Sequence, residues 1–149
     1  MDRSSFFTVS SDRLLSVLRI VLAGLYLQHG TAKLFHIPHI PQFDNVQLMS
    51  LIGLAGVLEL VFGVLLLLGL FTRFSAFILS GEMAFAYFMA HASRAALPIL
   101  NQGELAAVYC WAFLYFAAVG GGPWSLDALR TGTMKHHFVP RRAPGHPSS

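Results

Sequence analysis

The sequence predicts an all-α integral membrane protein, an antiparallel bundle of four transmembrane helices with both termini on the cytoplasmic side. Three observations predict it. The 149 residues are 55% hydrophobic and only 11% charged, with a mean hydropathy of +0.61, whereas a soluble domain holds roughly 45 to 50% apolar residues. Apolar segments approaching the roughly 20 residues that cross hydrocarbon alternate with breaks rich in Pro, Gly and Asn. An even number of crossings also gathers Arg3, Arg13, Arg73, Arg130, Lys135, Arg141 and Arg142 on one side and leaves Lys33 and Arg94 on the other, the asymmetry of a positive cytoplasmic face.

Residues 1–13 form a cytoplasmic N-terminal segment. The apolar run after it carries Arg19 and no A-x-A cleavage pattern, so it reads as a retained first helix rather than a removable signal. That helix covers 14–35 and ends before Pro38 and Pro41, because proline lacks an N–H donor and disfavours helix in the residue before it. After the one long loop, 36–47, a second span covers 48–71. The break at Gly69 to Arg73 is so short that spans two and three must form a tight hairpin. The third span covers 74–97 and breaks at Pro98, Asn101 and Gly103; the fourth covers 104–119 and stops at Gly120-Gly121-Gly122-Pro123. The membrane domain is thus 14–130. The basic tail 131–149, with Pro140, Pro144, Pro147, His136, His137 and His146, is expected to be disordered and solvated.

Several functions are excluded at this level. Cys110 is the only cysteine, so neither an intramolecular disulfide nor a C-x-x-C centre exists. The net charge of +3 follows from membrane topology rather than from nucleic-acid binding. The chain has no phosphate-binding loop, no H-E-x-x-H and no G-x-S-x-G, so nucleotide, zinc-protease and serine-hydrolase chemistry lack an anchor. No Glu-x-x-His pair suggests a di-metal bundle, and no metal site is expected.

The informative residues are the ionisable ones inside apolar runs: Arg19, His29, Glu59 and Glu82. Each costs several kcal/mol in lipid unless it faces the bundle interior and finds a partner. Estimated depths place Arg19 toward the terminal side, Glu59 and Glu82 near the middle, and His29, Lys33, His91 and Glu104 toward the far surface. This predicts that Arg19 pairs with Glu82, and Lys33 or His29 with Glu104. Arg19 and Arg73 are read as snorkelling anchors of helix ends. Glu82 and His91, nine apart, belong to different contacts. Gly56 and Gly63, with Gly53 nearby, line one stripe with Glu59, so a neighbouring helix should approach closely there and shield the carboxylate from lipid.

Glu59 and Glu82 suit either a structural hydrogen bond or a functional role. His29, Lys33, His91, Arg94, Asn101 and Glu104 together enclose an outer polar patch, the leading candidate for a ligand. The aromatics of the last two spans are explained mainly by packing and the membrane interface, although a quinone ring stacks on such surfaces. His29 and His91 on different helices suggest bis-histidine haem ligation as a weaker alternative.

Gln28-His29-Gly30 followed by Lys33, Glu59 with Gly63, Leu70-Phe71-Thr72-Arg73, Asn101-Gln102-Gly103-Glu104, and Gly120-Gly121-Gly122-Pro123-Trp124-Ser125-Leu126-Asp127 together resemble the DoxX family of small four-helix bacterial membrane proteins. The resemblance covers residues 14–130. It implies a multi-pass protein of the bacterial inner (plasma) membrane, serving as an accessory subunit of a quinone-linked oxidoreductase or an oxidative-stress complex. The alternatives are a non-enzymatic assembly subunit and a small transporter. The partners expected are the lipid bilayer, an oxidoreductase subunit and a second copy of the chain. No catalytic residue carries over. The substrate-binding candidates are His29, Lys33, Glu59, Glu82, His91, Arg94 and Glu104, and the helix-packing candidates are Gly53, Gly56 and Gly63.

Overall fold

The computed structural model describes residues 3–132, with side chains from Ser11 onward; the tail expectations, including His136, His137 and His146, lie outside the described residues. The helices are α1 (Arg3–Phe35), α2 (Leu51–Leu68), α3 (Thr72–Ala90), the short α4 (Pro98–Asn101), α5 (Glu104–Val119) and α6 (Leu126–Arg130). There is no strand among the described residues. The bundle is built from two closely packed pairs, α1 with α2 and α3 with α5, joined along α2 and α3.

The helix ends follow local chemistry. The Ser50 side chain accepts from the Gly53 N–H and caps α2, so α2 starts three residues after the expected Leu48. It stops at Gly69, whose φ of +69° places it in the left-handed region that glycine enters without steric penalty. The third helix ends at Ala90, seven residues short of the expected Leu97, because the turn after it gives its polar groups to Asn101. The Asn101 amide donates to the Ala95 carbonyl at 2.9 Å, and its own carbonyl pairs with His91 Nδ1 at 3.0 Å. The first helix begins at Arg3, well before the expected Leu14. The fifth matches its expected bounds.

Buried polar residues and exposed aromatic ones accompany an apolar core. Ser16, Arg19, Thr72, Ser75 and Asn101 are completely buried, whereas Phe74, Phe77, Phe85 and Phe88 on α3 and Trp111 on α5 are at least half exposed. α3 therefore carries polar residues inward and aromatic residues outward. The stretch Ser11–Phe35 of α1 and the whole of α2 are each long and apolar enough to cross a membrane; α5 is apolar but shorter. The core consists of Ala23, Tyr26, Leu66, Ala76, Leu79, Met83, Tyr109, Phe113 and Phe116.

Candidate functional site

The site is set by how closely α1 and α2 approach. A Cβ added at Gly30 would lie 3.0 Å from the Leu60 amide nitrogen and 3.1 Å from the Gly56 carbonyl oxygen, so here backbone meets backbone. Gly56 faces the Lys33 Cβ at 3.1 Å and Gly63 faces Leu27 at 2.8 Å, which gives both the packing role expected of small residues. Gly53 differs. A Cβ there would lie 2.2 Å from the Gln47 carbonyl oxygen, so this glycine admits the preceding loop, not a neighbouring helix. Gly30 contributes the contact of backbone on backbone and has no distinguishing pattern in the sequence beyond its place in the Gln28-His29-Gly30 motif.

Side chains on a helix lean toward its N-terminus, so Lys33 near the end of α1 reaches back toward the bundle centre. Its Nζ lies 2.5 Å from Glu59 Oε1, with the Glu59 side chain only 2% exposed. Two turns earlier, Tyr26 donates its hydroxyl to Glu82 Oε2 at 3.2 Å. The His29 ring lies beside those of Tyr26, at 6.0 Å, and Tyr109, at 6.2 Å, which are 5.1 Å from each other. Glu59 and Lys33 are both within electrostatic reach of Glu82. Four helices thus bring Tyr26, His29, Lys33, Glu59, Glu82 and Tyr109 into one cluster. It holds one ammonium against two carboxyl groups, and Glu59 Oε2 and Glu82 Oε1 are buried with no hydrogen-bond partner. Lys33 therefore pairs with Glu59 and not with Glu104 as expected, because the lean of its long side chain carries the charge inward.

The Arg19 expectation is corrected as well. Arg19 is completely buried, so it does not snorkel, and it does not pair with Glu82. Its Nε donates to the Gly121 carbonyl at 2.9 Å, Nη1 to Leu66 at 2.6 Å and to Leu67, and Nη2 to Trp124 at 2.6 Å. The last carbonyls of a helix lack intrahelical partners and carry the negative end of its dipole; one guanidinium answers those of α2 and ties them to the glycine loop after α5. The anchoring role expected for Arg19 is thus present by a different geometry. Next to it, the Ser16 hydroxyl accepts from the Trp124 N–H at 3.1 Å.

Asp127 closes the same end. Its Oδ1 accepts from the Phe71 N–H at 2.9 Å and Oδ2 from the Thr72 N–H at 2.8 Å, at the start of α3. Partial burial alone would raise its pKa, but these donors, together with Arg130, hold the carboxyl below its ordinary value. An open groove of about 750 Å³ lies here, lined by Asp12, Phe71, Arg73, Val119 and the glycine loop, well away from the cluster.

The expected outer patch divides. His29 and Lys33 belong to the interior cluster. His91 stacks on Tyr87 at 6.5 Å and bonds to Asn101, and the Asn101 Oδ1 accepts from the Gly103 N–H at 2.8 Å; together these fasten the turn between α3 and α5. Arg94 and Glu104 are exposed. Tyr109 reads from the sequence only as a packing aromatic, and Tyr26 is the member of the cluster that sequence reasoning passed over. Its position three residues before His29, which is itself four before Lys33, is the face periodicity that would have found it.

Comparison with known proteins agrees with the earlier resemblance. The DoxX family model matches residues 14–92. A protein of Haemophilus influenzae, described as uncharacterized, is 46% identical over 117 residues, covering 76% of this chain and 87% of its own. No solved structure matches the chain.

Proposed function

The chain belongs to the DoxX family, and we propose that it is a four-span protein of the bacterial inner membrane in which the buried cluster handles protons for a quinone-linked oxidoreductase. The observation that carries this reading is the imbalance inside the bundle: Glu59 and Glu82 face the single ammonium of Lys33, and each retains a buried, unpartnered carboxyl oxygen. A buried group of this kind is satisfied either by a proton or by a donor from a ligand. A quinol brings both, since its hydroxyl hydrogens need acceptors and its oxidation releases protons. Glu82 would accept one of the two protons, the other proton and the two electrons passing to the partner oxidoreductase, Tyr26 would hold Glu82 in place through its hydroxyl, and Lys33 would stay bonded to Glu59. The rings of Tyr26, His29 and Tyr109, tilted and edge to face with one another, supply an aromatic lining of the kind found in ligand sites.

The inward polar and outward aromatic faces of α3 support a membrane setting for that helix as well as for α1 and α2. The test is thermal protection of the purified protein by ubiquinone or menaquinone analogues. The wild type should melt at higher temperature with analogue present, and Glu82→Gln should lose that response. If neither analogue protects the wild type, the quinone assignment is defeated.

A second reading is an assembly subunit without chemistry of its own, favoured by the Lys33 to Glu59 bond, which clamps α1 to α2 at their closest approach. Under that reading Glu59→Gln lowers the abundance of partner complexes while their specific activity stays intact. A purified protein without a Soret band would set haem aside.

A further inference from the structure

We infer that the cluster exchanges protons with one end of the bundle only, the end bearing residues 36–50, and that Phe43 covers this opening. The inference rests on the proton-handling reading above and adds its direction. Toward the other end, all four long helices contribute completely buried apolar residues: Ala23 from α1, Leu66 from α2, Ala76 and Leu79 from α3, and Phe113 and Phe116 from α5. Beyond that layer the Arg19 guanidinium is spent on four carbonyls. The buried hydroxyls of Thr72 and Ser75 stand with Arg19 beyond the layer, but the apolar side chains of the layer itself offer a proton no acceptor, and the fixed cation behind them repels it.

Toward the 36–50 end the surroundings change. The Lys33 side chain retains 13% exposure against 2% for Glu59, and His29 is half-buried. Tyr26 and Lys33 from α1 and Glu59 from α2 act on Glu82, His29 and Tyr109 pack against Tyr26, and all of these lie on the open side of the apolar layer. The Phe43 ring lies 5.8 Å from Lys33 Nζ. It is held there by a turn in which the Phe43 N–H bonds to the Ile40 carbonyl at 2.9 Å and His39 meets Asp44 at 2.9 Å.

The experiment uses full-length protein in vesicles, in a Cys110→Ala background, with a membrane-impermeant cationic thiol reagent applied to either face. Arg13→Cys and Gln42→Cys report which face is which. His29→Cys should react only from the face that labels Gln42→Cys, and adding Phe43→Ala should raise that rate by about tenfold, the scale of one lost cation–π contact. Ala23→Cys should react from neither face. Labelling of His29→Cys from the Arg13 face, or of Ala23→Cys from either, overturns the one-sided access.

Infrared difference spectra of the otherwise native protein separate this failure from that of the proposed function. The carboxyl band absent in Glu82→Gln should follow the pH on the Gln42 face alone. A band that follows the Arg13 face overturns the direction but leaves proton handling standing. A band that titrates from neither face overturns proton handling itself.

Discussion

Arg19 and Lys33 are cations on the same helix, two heptads apart, and the protein accommodates them in opposite ways. Arg19 spends its donors on four backbone carbonyls, and the carboxylate that acts on it, Asp127, does so from a distance. Lys33 meets a carboxylate, and the site around it retains a second carboxyl group and two unpartnered oxygens. Backbone carbonyls do not titrate, so the Arg19 end is fixed over any ordinary pH range. Carboxyl groups do, so the Lys33 cluster can change its proton content without rebuilding the fold. The difference separates a charge used as a fastener from charges kept available.

The sharpest way to break this comparison is Arg19→Met. It removes the donors that join the Leu66 and Leu67 carbonyls of α2 to the loop after α5, and each buried carbonyl left unsatisfied costs about 1–3 kcal/mol. Folded yield in mild detergent should collapse; a melting temperature close to wild type would show that Arg19 fastens nothing. Glu59→Gln should come next. Leaving Lys33 without its counter-charge costs about 2 kcal/mol, less than for a fully enclosed cation because the ammonium keeps partial exposure; chemical unfolding measures it.

Asp127→Asn tests the terminal end from outside the membrane segments, with an expected loss of about 1 kcal/mol from a weakened α3 cap. Because the native carboxyl titrates below its unfolded value of about 3.9, its contribution is present above that pH and disappears as pH falls through the lower folded value. Wild-type melting should therefore decline in acid where Asp127→Asn stays flatter. Glu82→Gln should have the smallest effect on stability, within about 0.5 kcal/mol, since the amide still accepts the Tyr26 hydroxyl. A large loss would make Glu82 a fastener too and erase the contrast.

Much of the fold was legible because hydropathy and helix breakers are local properties. Gly69 and the glycines from Gly120 onward stop helices where the sequence implies, and α5 has its expected bounds. The end of α3 was not legible, since no Pro or Gly follows Ala90 before Pro98 and only the remote side chain of Asn101 claims the turn. The interior direction of Glu59 was readable from Gly56 and Gly63. Its partner was not, because depth counted along the backbone ignores the reach of a lysine that leans a full turn toward its helix start. Arg19 was misassigned for a related reason: charged partners can be searched for in a sequence, whereas every residue offers a carbonyl.

The partners of Arg19 have a consequence for biogenesis. Leu66 and Leu67 are translated 47 and 48 residues after it, and Gly121 and Trp124 more than a hundred. While the ribosome is still making α3 and α5, the guanidinium has no complete set of acceptors, and the first helix must wait near the headgroups or against the insertion machinery. Full seating of the earliest segment is thus postponed until the last one arrives, and truncation before Gly121 should leave a nascent chain that membrane quality control recognises and degrades.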